Sequence, residues 1–147
     1  MSVNLSDAKV EIILPNYNSE LYISETINSV INQTFKNWKL IIIDGNSNNE
    51  TRKILKTYTN HPKINIIWLK KNKHAGFCRN LAIRNSKSDY LAFIDSDDLW
   101  DREKLSKQLE FMIKNKYYFT YTNYFTFKEI LEKNNLKEVK VPEYFNF

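Results

Sequence analysis

The sequence contains little of what tight turns are made from, since it has only two glycines, Gly45 and Gly76, and three prolines. Glycine adopts positive φ angles most readily, and all-β sandwiches and barrels need a turn about every 8–12 residues. This scarcity therefore argues against an all-β fold. It also predicts that each glycine lies where the backbone must bend or approach a neighbouring group closely.

Cysteine and arginine are scarce as well. The one cysteine, Cys78, excludes an internal disulfide and a cysteine-only zinc site, and it suits a reducing compartment. The net charge of +5 rests on scattered lysines, with four arginines among the 22 basic residues. Proteins that bind nucleic acids rely on arginine and on clustered positive charge, so this charge indicates a solvated surface and no nucleic-acid partner.

Long apolar runs are missing, and none approaches the roughly 20 residues that a membrane-spanning helix needs. Residues 1–9 are polar and lack the apolar stretch of a signal peptide. We therefore expect a cytoplasmic protein. Its basic surface adds the expectation of peripheral contact with anionic lipid at the inner face of the membrane.

What the sequence does contain is a regular alternation of apolar strands and amphipathic helices, in a chain of 147 residues that can form one buried core. This alternation predicts an α/β fold, with a Rossmann-like, mostly parallel sheet that has helices on both faces. Residues 117–122 are β-prone as well. The predicted buried strands are 10–14, 40–43, 64–69 and 90–94, and the predicted helices are 20–31 with Ser19 as N-cap, 50–58, 77–85 and 103–114.

Polar clusters follow each of these strands. Ligands of open α/β sheets bind beyond the carboxyl ends of the strands, and parallel strands bring those ends to one edge. The clusters therefore predict a single ligand-binding edge. They are residues 15–18, 44–47, 70–76 and 95–98.

The run Asp95-Ser96-Asp97-Asp98 places three carboxylates directly after a strand. Carboxylates two residues apart can bind one hard cation such as Mg²⁺ or Mn²⁺, which offsets their repulsion and leaves positions for water and phosphate. The alternative is an N-cap cluster, in which Asp97 or Asp98 starts the next helix. Asp44-Gly45 likewise fits either a contact with ribose or base, or an ordinary turn.

The sequence has no glycine-rich loop of the kind that holds phosphates in ATPases and dinucleotide-binding proteins. Phosphates would then be neutralised by a metal and by Arg79, Lys73 or His74. An arginine near the start of a helix opposes the helix dipole, so an anionic partner explains Arg79 better than stability does. His74 alone is typical of a surface residue, and Cys78 of a small core residue.

Four motifs in this order resemble those of family 2 glycosyltransferases. The resemblance covers residues 10–114, and residues 118–124 also resemble the next strand of members that build polysaccharides and lipopolysaccharides. It implies the A-type glycosyltransferase fold, with residues 1–127 as the nucleotide-sugar-binding, donor half. Residues 128–147 would be a tail or the start of a truncated acceptor region. The motifs are LPNYN at 14–18, IDGNS at 43–47, GFCRN at 76–80 and FIDSDDLW at 93–100.

The resemblance implies a role for individual residues around the nucleotide. Pro15 and Tyr17 would line the pocket for the nucleobase and ribose, and Asp44 would hydrogen-bond the base. Arg79 would lie near the diphosphate. The implied donor is a nucleotide-diphosphate sugar, with a UDP-sugar as the first expectation.

The D-x-D motif of the family matches Asp95 and Asp97. Asp95, with Ser96 beside it, would face the ribose or the sugar, and Asp97 would hold Mn²⁺ or Mg²⁺. The implied reaction is metal-dependent transfer of the sugar to a glycan or lipid-linked acceptor, with inversion at the anomeric carbon.

The chain departs from the family in two respects. The family usually has a second acid beside Asp44 and an aspartate at Asn48 or Asn49, whereas this chain has Ile43 and two asparagines. Family members also extend further, and their general base lies in that continuation, so no catalytic base is nominated here. Two expectations remain open: a transferase, or a truncated nucleotide-sugar-binding module without full transfer activity. Such a module would pair with another subunit or with a second copy of the chain.

Overall fold

The computed structural model describes residues 5, 7–126 and 137–139. Four strands and four helices alternate in the predicted order along the described chain, and two further strands follow them. The strands are β1 (Val10–Asn16), β2 (Trp38–Asp44), β3 (Ile64–Trp68), β4 (Tyr90–Phe93), β5 (Tyr124–Thr126) and β6 (Lys137–Val139), and the helices are α1 (Ile23–Ile31), α2 (Asn49–Lys56), α3 (Ala75–Asn85) and α4 (Lys104–Asn115).

Strands β1 to β4 form a parallel sheet in the order β3-β2-β1-β4. Val10 of β1 lies opposite Trp38 of β2 and Tyr90 of β4, and Leu40 of β2 lies opposite Ile64 of β3. All four carboxyl ends therefore meet at one edge. The predicted α/β architecture is confirmed.

Helices cover both faces of this sheet, because continuous apolar strands present buried side chains on both sides. Helices α1, α2 and α4 pack on one face and α3 packs on the other. Cys78 is a buried core residue, as predicted. The first core includes Ile12, Leu14, Leu40, Ile42, Ile27, Leu55 and Leu105, and the second consists of Ile13, Ile41, Ile43, Cys78 and Ala82.

Strand β4 differs from the prediction of a buried strand. It is an edge strand of the sheet, and its Leu91 and Phe93 are 37% and 43% exposed. An apolar run cannot by itself distinguish a central strand from an edge strand. Only Ile94, directly after the strand, is buried at this point.

Three local predictions are also wrong. Helix α1 begins at Ile23 rather than at Glu20, and its N-cap is Tyr22, which makes no side-chain cap bond. Ser19 contributes its carbonyl oxygen, which accepts hydrogen bonds from the amides of Tyr22 and Ile23. Strand β1 continues through Pro15 to Asn16, and residues 117–122 contain no strand.

Strands β5 and β6 form an antiparallel pair across the predicted domain boundary at residue 127. Most of the predicted tail, residues 128–136 and 140–147, lies outside the described residues. The boundary therefore stays a prediction. Among the helices that the structure describes, none has the length and apolar character needed to cross a membrane.

Replacing Leu40 tests the packing of the first core. Leu40 is fully buried, whereas Leu21 is 77% exposed. We expect Leu40→Ala to lower the free energy of unfolding by about 2–5 kcal/mol, because the substitution removes buried methylene groups and leaves a cavity. Leu21→Ala should change it by less than about 0.5 kcal/mol. Urea denaturation followed by circular dichroism measures both, and equal losses would contradict the packing described here.

Candidate functional site

A cleft of about 260 Å³ opens at the carboxyl edge of the sheet. Its walls come from the end of β1, the start of α3 and the segment after β4. Six of the seven residues that the motifs predict for the donor and metal line it, and Asp44 does not. The lining residues are Pro15, Asn16, Tyr17, Lys73, Ala75, Cys78, Arg79, Asp95, Ser96 and Asp97.

Asp44 is fully buried at the end of β2. Its carboxylate accepts hydrogen bonds from Asn16 Nδ2 at 3.0 Å, from the amide of Ser47 at 3.2 Å and from Arg52 Nε at 3.1 Å. These donors compensate a charge that would be costly to bury alone. The contacts give Asp44 a role in ordering the loops, and its contact with a nucleobase stays a prediction.

The loops after β1 and β2 are joined by their own polar groups. The Ser47 hydroxyl accepts from the amide of Asn18 at 3.0 Å, and Asn18 Oδ1 accepts from the amide of Asn48 at 2.8 Å. Asn18 and Asn46 adopt positive φ angles of 48° and 67°. Asparagine tolerates this conformation better than most residues do, so here it takes the place that glycine often has.

Gly45 is required for close approach rather than for a positive φ angle, since neither glycine has one. Its amide donates to the carbonyl oxygen of Asn16 at 2.8 Å. A Cβ at position 45 would lie 3.2 Å from that oxygen and 3.4 Å from the carbonyl oxygen of Lys73. The prediction that this glycine lies at a close backbone contact is confirmed.

The cleft wall formed by the start of α3 and the loop before it carries positive charge. Arg79 lies on α3 and forms an ion pair with Asp95, which comes after β4. Lys73 lies in the loop before α3, with its Nζ 5.1 Å from the centre of the Phe77 ring. His74 is the N-cap of α3, and its Nδ1 accepts from the amide of Phe77 at 3.2 Å. His74 therefore has a structural role at the helix start.

Segment 95–98 carries negative charge. The alternative prediction, in which Asp97 or Asp98 starts the next helix, is wrong. Helix α4 begins at Lys104 with Glu103 as its N-cap, and no side chain caps it. Burial raises the pKa of Asp98 above its ordinary value, and the neighbouring Asp97 and Asp95 raise it further. Within the described chain, Asp97 is exposed and has no ion-pair partner.

No group of three His, Cys, Asp or Glu side chains that could hold a metal ion occurs among the described residues. Mg²⁺, however, is often bound by only one or two carboxylates, with water and substrate phosphates as the other ligands. Asp97 on the cleft wall fits such a partial site. The like-charge crowding that raises the pKa of Asp98 also fits a nearby cation.

Polar side chains of α1, together with Gln33 just after its end, hold the segment that follows Asp95. Thr26 Oγ1 donates to the carbonyl oxygen of Ser96 at 3.1 Å, and the amide of Trp100 donates to Ser29 Oγ at 3.2 Å. Gln33 Nε2 donates to the carbonyl oxygen of Asp101 at 2.7 Å, and Gln33 Oε1 accepts from the amide of Leu105 at 3.0 Å. Helix α1 therefore fixes the position of the acidic segment.

Sequence reasoning missed several of these supporting residues. Thr26 lies on the buried face of α1 among apolar residues, and a polar residue in that phase is the signal that could have found it. Gln33 follows the end of α1 and is fully buried. Arg52 gave no such signal, because nothing in the sequence indicates that a helix residue reaches back to Asp44.

Glu20 joins the loop after β1 to the start of α2. Its carboxylate accepts from Thr51 Oγ1 at 2.6 Å and from Asn48 Nδ2 at 3.1 Å. The hydrogen bond from Thr51 lowers the pKa of Glu20 most, and that from Asn48 adds to the effect. Asn48 also caps α2, since its Oδ1 accepts from the amide of Thr51 at 2.9 Å. An asparagine is thus both the helix cap and a donor to Glu20.

Comparison with known proteins identifies relatives of this arrangement. Residues 11–147 match the family model described as "Glycosyl transferase family 2". The chain is 38% identical over 133 residues to the UDP-Glc:alpha-D-GlcNAc-diphosphoundecaprenol beta-1,3-glucosyltransferase WfgD of Escherichia coli, and the match covers 90% of this chain and 50% of that protein. The chain spans about half the length of the curated relatives it matches.

Solved structures give the same fold. The crystal structure of S. aureus TarS 1-349 in complex with UDP has a TM-score of 0.68 and 31% identity, covering 74% of this chain and 33% of that one. The mannosyltransferase PcManGT from Pyrobaculum calidifontis, in complex with GDP-Man and Mn²⁺, has a TM-score of 0.66. It is 20% identical and covers 71% of this chain and 32% of that one, so the likeness concerns the fold alone. The sheet and its helices are the A-type glycosyltransferase fold.

An Asn48→Asp substitution tests the contact with Glu20. Aspartate keeps the oxygen that caps α2. Its other carboxylate oxygen takes the place of Asn48 Nδ2, which lies 3.1 Å from Glu20 Oε1, so two negatively charged oxygens would face each other. We expect a lower free energy of unfolding at pH 7. The penalty should shrink at acid pH, because protonation of either carboxyl group removes the repulsion between them. Urea denaturation at pH 7 and at acid pH measures both effects.

The matched controls are Glu20→Gln and Asn48→Ala. In a Glu20→Gln background, Asn48→Asp should cost nothing further, because the glutamine amide can donate to the aspartate. Asn48→Ala removes the helix cap, which should cost about 1 kcal/mol in the Glu20→Gln background. It should cost more in the parent chain, where the donor to Glu20 is lost as well. If Asn48→Asp is as stable as the parent chain while Glu20 is present, the donor role of Asn48 is wrong.

Proposed function

Because the chain belongs to glycosyl transferase family 2, we propose that it binds a nucleotide-diphosphate sugar in the carboxyl-edge cleft and serves transfer of that sugar to an acceptor. One observation carries this proposal. Residues 15–17, 73–79 and 95–97 are far apart in the sequence, yet they line one cleft that contains the donor residues implied by the motifs.

The proposed donor is a UDP-sugar. TarS, at 31% identity, has been crystallised with UDP and with UDP-GlcNAc. In this chain, Tyr17 is 48% exposed and lines the cleft beside Pro15, so its ring is available to the base and ribose. The hydrogen bonds around Asp44 would fix the position of the cleft wall that Pro15 and Tyr17 form.

The diphosphate would lie between Arg79 and Lys73. Both are cations on the same cleft wall, and Arg79 is already held there by Asp95. A guanidinium can donate two parallel hydrogen bonds to phosphate oxygens. Because Arg79 is ordered before the ligand arrives, binding costs less side-chain entropy than it would for a free arginine.

A divalent cation, Mn²⁺ or Mg²⁺, is the proposed cofactor, with Asp97 as its ligand. Asp97 faces the cleft without an ion-pair partner in the described chain, and Asp95 and Ser96 precede it on the same wall. When bound, the metal would offset the negative charge that develops on the departing diphosphate. The carboxylate of Asp97 would hold it beside the phosphate oxygens.

The proposed transfer is to a glycan or lipid-linked acceptor, on the cytoplasmic side of the membrane. An acceptor hydroxyl would attack the anomeric carbon as the bond to the diphosphate oxygen breaks, with inversion. The hydroxyl proton would pass to a general base, and this role is assigned to none of the described residues. The second candidate is therefore a nucleotide-sugar-binding module, which needs the cleft but no general base.

Removing the carboxylate of Asp97 tests the metal proposal. We expect calorimetric titration to show that the chain binds UDP more tightly with Mn²⁺ than without it, and more tightly than GDP or CDP. Asp97→Asn should abolish the increase that Mn²⁺ produces, because the metal loses its protein ligand. Glu110→Gln, which removes an exposed carboxylate from α4, is the control and should keep the increase. Tight binding of UDP by Asp97→Asn without any metal would contradict the assignment.

Arg79 is tested by comparing ligands with and without phosphates. A hydrogen bond to a charged group contributes about 1.5–3 kcal/mol, so Arg79→Gln should weaken UDP binding by about 10- to 100-fold. Binding of uridine should not change, since uridine has no phosphate. Arg84→Gln, a substitution on the same helix, should leave both affinities unchanged. If Arg79→Gln weakens uridine as much as UDP, Arg79 shapes the base pocket instead of holding the diphosphate.

A further inference from the structure

A second and larger cavity, of about 390 Å³, lies between α2 and the end of β3. We call it the α2 groove, and it is lined by Asn49, Arg52, Lys53, Lys56 and Trp68. The four helix residues follow the i, i+3, i+4, i+7 spacing of one face of α2. Three of the lining residues are cations and none is an acid. The groove is therefore a basic surface. It is distinct from the carboxyl-edge cleft, which we call the donor cleft after its proposed ligand.

The positive charge of the α2 groove is largely uncompensated. Arg52 is committed to Asp44, at 3.1 Å, but Lys53 and Lys56 form no ion pair with any residue of the described chain. Both lysines are exposed and lie in the last turn of α2. Stabilisation of the helix end by its dipole is one reason for basic residues there. It does not explain why an indole ring lies beside them.

Trp68 adds an exposed aromatic surface to this charge. It is 36% exposed, and the guanidinium carbon of Arg52 lies 5.4 Å from the centre of its ring. Tryptophan is enriched where proteins meet the interface between membrane and water, because its ring is apolar and its N–H is polar. Soluble anions alone would not require such a ring.

We propose that the α2 groove docks on an anionic phospholipid surface. The lysines would contact lipid phosphates, and Trp68 would enter the headgroup region. Asn49 starts α2 and Trp68 ends β3, so the groove reaches the same edge of the sheet as the donor cleft. Docking there would hold the cleft close to a lipid-linked acceptor, and to that extent the choice of partner rests on the proposed function.

Vesicle binding tests the proposal on the whole chain. The partition coefficient is measured by co-sedimentation with phosphatidylcholine vesicles, and with vesicles that also contain phosphatidylglycerol. We expect binding to the anionic vesicles only. Each basic residue near such a surface contributes roughly fivefold to the partition coefficient, so Lys53→Gln/Lys56→Gln should lower it about 25-fold. Lys87→Gln/Lys114→Gln removes the same charge from exposed lysines outside the groove and should have little effect.

Fluorescence of the tryptophans gives an independent readout. Anionic vesicles should shift the emission of the parent chain to shorter wavelength, and Trp68→Phe should lose most of that shift.

Three outcomes would overturn the proposal. The first is that the parent chain does not bind anionic vesicles, and the second is that the two double lysine variants lose binding equally. The third is that a single-stranded RNA binds the groove while vesicles do not. UDP titration of the same proteins separates this proposal from the donor site. The groove variant should keep its UDP affinity, and a chain that binds vesicles but no nucleotide would overturn the proposed function alone.

Discussion

A buried carboxylate at the end of β2 is the constraint on which the rest of the cleft depends. An unpaired charge in this position would be costly, and the cost falls only where several donors reach the same group. Asp44 obtains them from Asn16 at the end of β1, from the backbone of Ser47 and from Arg52 on α2. Satisfying one carboxylate therefore fixes the ends of two strands and the first turns of a helix.

The donor cleft lies next to this fixed point. Its first wall, Pro15 and Tyr17, continues directly from Asn16. Its second wall is held by Thr26 of α1, which donates to the carbonyl oxygen of Ser96, and by Gln33 after α1, which donates to that of Asp101. Arg79 of α3 forms an ion pair with Asp95 in the same wall. The result is a cleft with cations and carboxylates on its walls, as a nucleotide diphosphate with a metal ion requires.

Much of the fold could be predicted from the sequence, because its signals are local. Apolar runs and helical spacing gave the order of strands and helices, and the parallel arrangement then brought the polar clusters to one edge. The exposure of β4 could not be predicted, since Leu91 and Phe93 look the same in an edge strand as in a central one. The start of α1 was misjudged because the helix begins without a side-chain cap.

The residues that line the candidate site could be predicted from the sequence, but most of those that support it could not. The residues that line the cleft belong to short motifs, whereas those that support it act over long sequence distances. Gln33 and Asp101 are 68 residues apart, and no periodicity relates them. Burial of Asp44 could not be foreseen either, because its position at a strand end fits both a ligand contact and an internal hydrogen-bond network.

The most direct test of the central claim is to map UDP binding by NMR on the ¹⁵N-labelled chain in the presence of Mg²⁺. The account predicts that amide shifts change around residues 15–18, 44–47, 73–79 and 95–98, while the amides of Lys53 and Lys56 stay unchanged. Changes confined to the α2 groove or to α4, with none at the carboxyl-edge loops, would contradict the claim that these loops form one nucleotide site.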